Sequence, residues 1–401
     1  MEKVKAEVVT HYRSELVEYL RANGSTFAYG DTGIRLAKEF GFCYGVERAI
    51  DLAYAARRHF PREQPVYILG EIIHNPHVNE QIRDMGVTFL SGSHKAADIE
   101  DLGKGDPVVI PAFGTEVKVN EMLKARGCTV IDATCGDVMS VWKRVRQNAR
   151  EQVTSIIHGK AWHEETKATS SQAKAYENGH YLVVFDLDET DLVCRYITRG
   201  GDREAFLKKF EGATSDGFDP DKHLGAIGLA NQTTMLRGET EEVQRRLRAA
   251  MVEKHGEDAI AGHFRYFDTI CGATQDRQDA LRDLLSRPMD LLLVVGGYNS
   301  SNTSHLAEMG EGKLPTYFIK DASEIESAER LNHFLQHKQE MVIAENWLPL
   351  EGKLTVGITA GASCPNNLIE EVILQTYELR GAPASEVLGS IRAESAADMA
   401  Q

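Results

Sequence analysis

Long apolar runs are missing from this 401-residue chain. No stretch reaches the ~18 apolar residues of a membrane-spanning helix. The opening Met1-Glu2-Lys3-Val4-Lys5-Ala6-Glu7 also lacks the apolar core of a secretory signal, so the expected compartment is the cytoplasm. A surplus of cations is missing too: 45 Lys and Arg stand against 60 Asp and Glu, a net charge of -15. That speaks against a nucleic-acid binder, which needs a broad basic surface. A small anionic ligand stays possible, because its site needs only local donors and helix N-termini. Cysteine is sparse, with Cys43, Cys128, Cys135, Cys194, Cys271 and Cys364, and no CxxC pair occurs. In a reducing compartment such a set is no disulfide framework, and a zinc knuckle or thioredoxin-like site has no local support. Walker and GxGxxG loops are absent, which removes the expectation of nucleotide binding.

What is present is an ordinary globular composition, 42% hydrophobic and 26% charged, long enough for two to four lobes at ~100–200 residues each. Three cysteines share one setting: Gly41-Phe42-Cys43-Tyr44-Gly45, Ala133-Thr134-Cys135-Gly136 and Thr269-Ile270-Cys271-Gly272. Each closes a short segment and is followed by helical spacing, first over Val46 to about His59. A sulfur at a helix N-terminus has a lowered pKa and favours the metal-binding thiolate. The three are expected to meet at one metal centre.

The same order repeats after each cysteine. His74, His163 and Asn302 follow by 31, 28 and 31 residues, each in a polar loop after a short apolar strand. Thr115, Thr233 and Ser363 follow by 72, 98 and 92, with Asp202 to Lys222 read as an inserted surface loop. Apolar strands alternating with helices imply an α/β fold with mostly parallel sheets covered on both faces, whose ligands bind beyond the strands' carboxyl ends. Accidental repetition with glycine-rich turns is the plain alternative. The expected organisation is a helical extension (1–30), a joining run (31–43) belonging to the last lobe, three lobes (44–134, 135–267, 268–382) and a mobile tail (383–401). Within the extension, His11 to Arg21 reads as a helix with Leu16, Val17 and Leu20 on one face.

Three thiolates suit zinc with a further ligand or water, or a cubane iron–sulfur cluster with one iron left open. Cys128 and Cys194, in strand-like contexts, read as small buried residues, and Cys364 is a second-rank ligand. Ser300, Ser301, Asn302 and Ser363 are short donors between strands and helices, where free backbone N–H groups attract anions; His74 and His163 add charge-assisted donors. Glu165 is the leading general acid, on the expectation that burial keeps it protonated, with Glu164 its rival and Thr233 able to pass or hold a proton beside it.

The strings GFCYGVERAI, EIIHN, DATC, WHEET, NQTT, GGYNSSNTSHL and TAGAS, in this order between residues 32 and 380, resemble the 4-hydroxy-3-methylbut-2-enyl diphosphate reductase family. The resemblance implies a trefoil of three α/β lobes around a [4Fe-4S] cluster with one non-cysteine iron. It implies Cys43, Cys135 and Cys271 as cluster ligands, and His74, His163, Ser300, Ser301, Asn302 and Ser363 as substrate contacts. Glu165 would be the proton donor, with Thr233 beside the substrate hydroxyl. The implied reaction removes that hydroxyl reductively to give isopentenyl and dimethylallyl diphosphate, the last step of the methylerythritol phosphate route. Electrons would come from ferredoxin or flavodoxin, with no nucleic-acid or membrane partner. Two departures stand out. Phe113 occupies the Pro111–Gly114 loop where many bacterial members have a histidine, and Gly136 replaces a proline after the second cysteine. The first departure, the N-terminal extension and the run GIRLAKEFGFCYGVERA resemble the cyanobacterial and plant branch. Rival readings are another iron–sulfur enzyme of quinolinate synthase-like type and a non-catalytic iron–sulfur or zinc sensor.

Overall fold

A computed structural model describes residues 2–398. The chain is α/β with three sheets. It divides into two compact units, one of Met1–Ala55, Ile73–Ile82 and Gly272–Gln401, the other of Ala56–Ile72 and Arg83–Cys271.

The second unit holds two four-stranded sheets, both wholly parallel. One runs Val87–Phe89, Val66–Ile68, Pro107–Ile110, Thr129–Asp132, and the other Tyr181–Val184, Thr154–His158, Ile227–Asn231, Phe264–Tyr266. Each therefore orders its strands second, first, third, fourth along the chain. The first unit repeats this order with Thr316–Ile319, Leu291–Val295, Leu354–Ala360 and Thr32–Leu36. There the fourth strand comes from the N-terminal end of the chain, in parallel register with Leu354–Ala360. Antiparallel strands extend both edges, Thr26–Tyr29 on one side and the hairpin Arg330–Leu335/Glu340–Glu345 on the other. Strands covered on both faces read as unbroken apolar runs; Leu291 to Val295 are all buried.

Several elements differ from the sequence reading. The expected helix from His11 to Arg21 is two helices, Glu2–Tyr12 and Glu15–Ala22, because Ser14 acts as a cap: its Oγ accepts the Val17 N–H at 2.9 Å. The second buries Leu16, Val17 and Leu20. Thr26–Tyr29, within the expected helical extension, is a strand, since Gly24 (φ 78°) and Ser25 (φ 59°) turn the chain into the sheet. Asp202 to Lys222 carries the helix Arg203–Lys209 and begins the turn Pro220–His223, and it buries Phe206, Phe210 and Phe218 in the core around Leu229 and Val243. Cys194 lies in the helix Leu187–Arg199 rather than in a strand. The tail expected to be mobile is helical over Ala384–Asp398, with Val387 and Ile391 packed into the first unit's core; residues 399–401 lie outside the described residues. No described helix is long and apolar enough to cross a membrane.

One buried group makes stability pH-dependent. His158, at the end of its strand, is fully buried with Nδ1 2.8 Å from Thr240 Oγ1, and burial pushes its pKa down to about 4. The folded ring stays neutral where the unfolded ring, near 6.5, takes a proton. Its contribution is complete above pH ~6.5 and disappears as pH falls toward 4, at most about 3 kcal/mol. The urea midpoint should fall over that window, and His158→Gln should flatten the slope; an unchanged slope would remove His158 as its source.

Candidate active site

Each of the three helix-opening cysteines begins a helix of 14 residues or more: Cys43 before Tyr44–His59, Cys135 before Gly136–Arg150, Cys271 before Gly272–Leu285. All three are half-buried and outside any disulfide among the described residues. Their backbone surroundings are the same. The N–H of Cys135 donates to Ala112 C=O at 2.8 Å, that of Cys271 to Thr233 C=O at 3.2 Å, and that of Cys43 to Ala362 C=O at 3.2 Å. Ala112, Thr233 and Ala362 each lie two residues beyond the third strand of a sheet.

A second step completes the pattern. The N–H groups of these residues donate to an acceptor from the loop or helix start after the first strand: Ala112 to Ile72 C=O at 3.1 Å, Thr233 to Glu165 Oε1 at 2.6 Å, Ala362 to Asn302 Oδ1 at 3.0 Å. So one relay, acceptor to strand-end peptide to cysteine, occurs three times. In only one of the three is the acceptor ionisable.

That acceptor is Glu165, 4% exposed, in the first turn of the helix Glu164–Ser171. Its Oε2 also accepts from Thr233 Oγ1 at 3.0 Å, so both carboxylate oxygens rest on one residue. His163 caps this helix, its Nδ1 accepting the Glu165 N–H at 3.1 Å. That bond places the proton of a neutral ring on Nε2 and makes Nε2 a donor. Glu164, the rival acid, is exposed. Gln232, missed in the sequence, links these loops: its Oε1 accepts from Lys160 N–H at 3.1 Å and Thr166 Oγ1 at 3.0 Å.

In the first unit the short donors gather. Ser300 caps the helix Ser301–Glu311 and bonds Thr303 Oγ1 at 3.0 Å. Ser363 Oγ lies 3.1 Å from the His74 carbonyl and 3.4 Å from Ser300 Oγ, and His74 Nδ1 is 3.3 Å from Asn299 Nδ2. Ser301 Oγ is buried without a hydrogen-bond partner, as is Asn75 Nδ2 beside His74. Two unmet polar groups, each at the N-terminus of a different helix, suit an anion. Glycine allows the loops to approach: a Cβ on Gly361 would lie 1.9 Å from Thr303 Oγ1, and one on Gly297 2.5 Å from His74 O. Thr303, another residue missed, stood in the NSSNTS run but looked like a plain helix residue.

The remaining cysteines do not share this setting. Burial pushes the Cys194 thiol up to about 12 and raises Cys128 and the fully buried Cys364. The Cys364 N–H donates to Gly361 C=O at 3.1 Å, within its own loop, and takes no part in the relay. Phe113 stands half-buried in a turn closed by Gly114 N–H to Pro111 C=O at 3.0 Å, with Thr115 half-buried beyond it.

These features define a class: α/β proteins whose parallel sheets each lead into a helix-opening thiol. The LytB protein family model matches residues 34–376, and the chain belongs to that family. It is 48% identical over 380 residues to the 4-hydroxy-3-methylbut-2-enyl diphosphate reductase of Thermosynechococcus vestitus, covering 94% of this chain and 92% of that one. The enzyme of the same name from Gloeobacter violaceus is 45% identical over 394 residues, covering 97% and 93%. Among solved structures, that of (E)-4-hydroxy-3-methyl-but-2-enyl diphosphate reductase, the terminal enzyme of the non-mevalonate pathway, matches with a TM-score of 0.52 at 28% identity over 87% of this chain and all of that one. The Plasmodium falciparum reductase shares the fold, with a TM-score of 0.63 at 21% identity over 87% and 90%.

Proposed function

We propose that this chain is an oxidoreductase converting 4-hydroxy-3-methylbut-2-enyl diphosphate to isopentenyl and dimethylallyl diphosphate, in the cytoplasm, as the last step of the methylerythritol phosphate route. Two electrons and two protons enter, the C–O bond breaks, and water leaves. The observation that carries the reading is the threefold relay with its single ionisable member, Glu165.

The donor set fits an iron–sulfur cluster: three half-buried thiols in matching backbone settings, three others in unrelated ones. Cys43, Cys135 and Cys271 would hold a [4Fe-4S] cluster, which would supply electrons one at a time and leave one iron without a cysteine ligand. Ser300, Ser301, Asn302, Ser363 and His74 hold the diphosphate, with the unmet Ser301 hydroxyl as one donor. His163 donates through Nε2. Glu165 delivers a proton by way of Thr233 Oγ1 to the departing hydroxyl. The two hydrogen bonds from Thr233 then stabilise the carboxylate left behind.

The test is turnover of the allylic diphosphate by anaerobically purified protein with a chemical one-electron reductant, beside iron and sulfide analysis. Both products from brown protein are expected. Iron-loaded protein that makes neither product would favour a quinolinate synthase-like enzyme or a sensor, and zinc-loaded active protein would reject the cluster.

The electron donor is an acidic carrier such as ferredoxin or flavodoxin. On a chain of net charge -15, the helix that opens at Cys135 exposes Lys143, Arg144 and Arg150, with Arg146 half-exposed. None of the four makes an ion pair among the described residues; Arg144 stacks on Phe267 at 4.5 Å. At helical spacing, Gly136, Ser140, Lys143, Gln147 and Arg150 form a stripe without a carboxylate, flanked by Asp137 and Glu151. Reversing two charges, Lys143→Glu with Arg150→Glu, should raise the KM for the protein donor about tenfold, most at low salt, and leave turnover with the chemical reductant unchanged. An equal loss with both donors would reject this surface.

A further inference from the structure

Among the described residues Arg277 is the one buried lysine or arginine, 4% exposed. It lies in the second turn of the helix that opens at Cys271. Its Nη1 donates to Ala273 C=O at 2.8 Å and its Nη2 to Gly41 C=O at 2.5 Å, two residues before Cys43. Nε is buried without a partner, and no carboxylate pairs with the guanidinium among the described residues. Several guanidinium groups nearer solvent are paired with carboxylates, as in Arg203–Asp219, Arg237–Glu241, Arg245–Glu242 and Arg287–Asp283. A buried, always-charged group with no counter-ion is strongly unfavourable unless an anion absent from the polypeptide completes it. Carbonyl dipoles at Gly41 and Ala273 offset only part of that cost.

We infer that Arg277 is a redox-tuning and positioning residue: its guanidinium is the buried counter-charge of the metal centre held by Cys43, and it favours that centre's reduced state. The inference rests on the iron–sulfur reading above. A cluster held by thiolates is anionic and becomes more so with each electron, and local charge is one of the levers on its potential. A fixed cation beside the Cys43 loop therefore stabilises the reduced form more than the oxidised form. Arginine suits the position better than lysine, because its fork holds two carbonyls at once and cannot lose its proton.

The experiment uses the holoenzyme and three variants, Arg277→Gln, Arg277→Lys and Arg21→Gln, with iron content, thermal melting and a redox titration followed by electron paramagnetic resonance. Arg21 is the comparison: it also grips this loop, donating to Phe40 C=O at 2.5 Å, but as a residue it is exposed, so solvent and salt screen more of its charge than of the Arg277 charge. Arg277→Gln should lower the reduced-to-oxidised ratio at fixed potential at least tenfold, about 59 mV for a one-electron couple. Arg277→Lys should recover most of that, and Arg21→Gln should move it several-fold less than Arg277→Gln does. Loss of iron in the Gln variant alone, with Lys still loaded, supports the same charge role. An iron-loaded Gln variant with an unshifted titration overturns the inference, as does loss of iron in Gln and Lys variants alike, which would mark Arg277 as a loop anchor only. A wild type without iron would instead overturn the cluster reading itself.

Discussion

Glu165→Gln should lower turnover by about 10²–10⁴-fold while iron content and substrate binding stay at wild-type level. The substitution keeps the amide-sized side chain and an oxygen able to accept the Thr233 N–H now held at 2.6 Å, so the relay to Cys271 is preserved. What it removes is the transferable proton. The other two relays use Ile72 C=O and Asn302 Oδ1, neither of which titrates, so the fold has no need of an ionisable group at this position. Single-turnover product formation, with binding measured separately, checks the expectation. If turnover were unchanged, the acid would lie elsewhere, with exposed Glu164 the first alternative. Thr233→Val should cost turnover as heavily, because it removes the hydroxyl through which the proton passes although Oε1 keeps its backbone donor.

Cys135→Ser should yield colourless protein, depleted of iron and inactive, with the fold retained. The serine N–H can still donate to Ala112 C=O, and the following helix still buries Val138, Val141 and Val145. The lost element is the thiolate, which a hydroxyl does not replace as a soft ligand. The same change at Cys194 or Cys364, whose thiols burial holds in the protonated form, should leave iron and turnover near wild type. Iron analysis and visible absorbance of the three variants separate the ligands from the bystanders. Equal iron in all three would reject Cys135 as a ligand.

The sequence alone determined what is local or periodic. The strand Leu291–Val295 was legible from its unbroken apolar run, because a strand covered on both faces carries no polar alternation. The helix after each cysteine was legible from apolar spacing, and the repeat from matching intervals. Where short-range signals compete, local pattern misleads: Ser14 divides a helix that periodicity makes continuous, and sparse aromatics bury a segment that composition makes a loop. Tertiary structure alone decided what joins distant residues. Thr32–Leu36 completes the sheet of residues more than 300 positions away, a pairing that no local pattern encodes. Glu165 reaches Thr233 across 68 residues, and Arg277 reaches Gly41 across 236. A carboxylate in WHEET and an arginine in ATQDRQ look alike as charged helix residues; only burial and the partners that folding brings to them set both apart from a solvated surface.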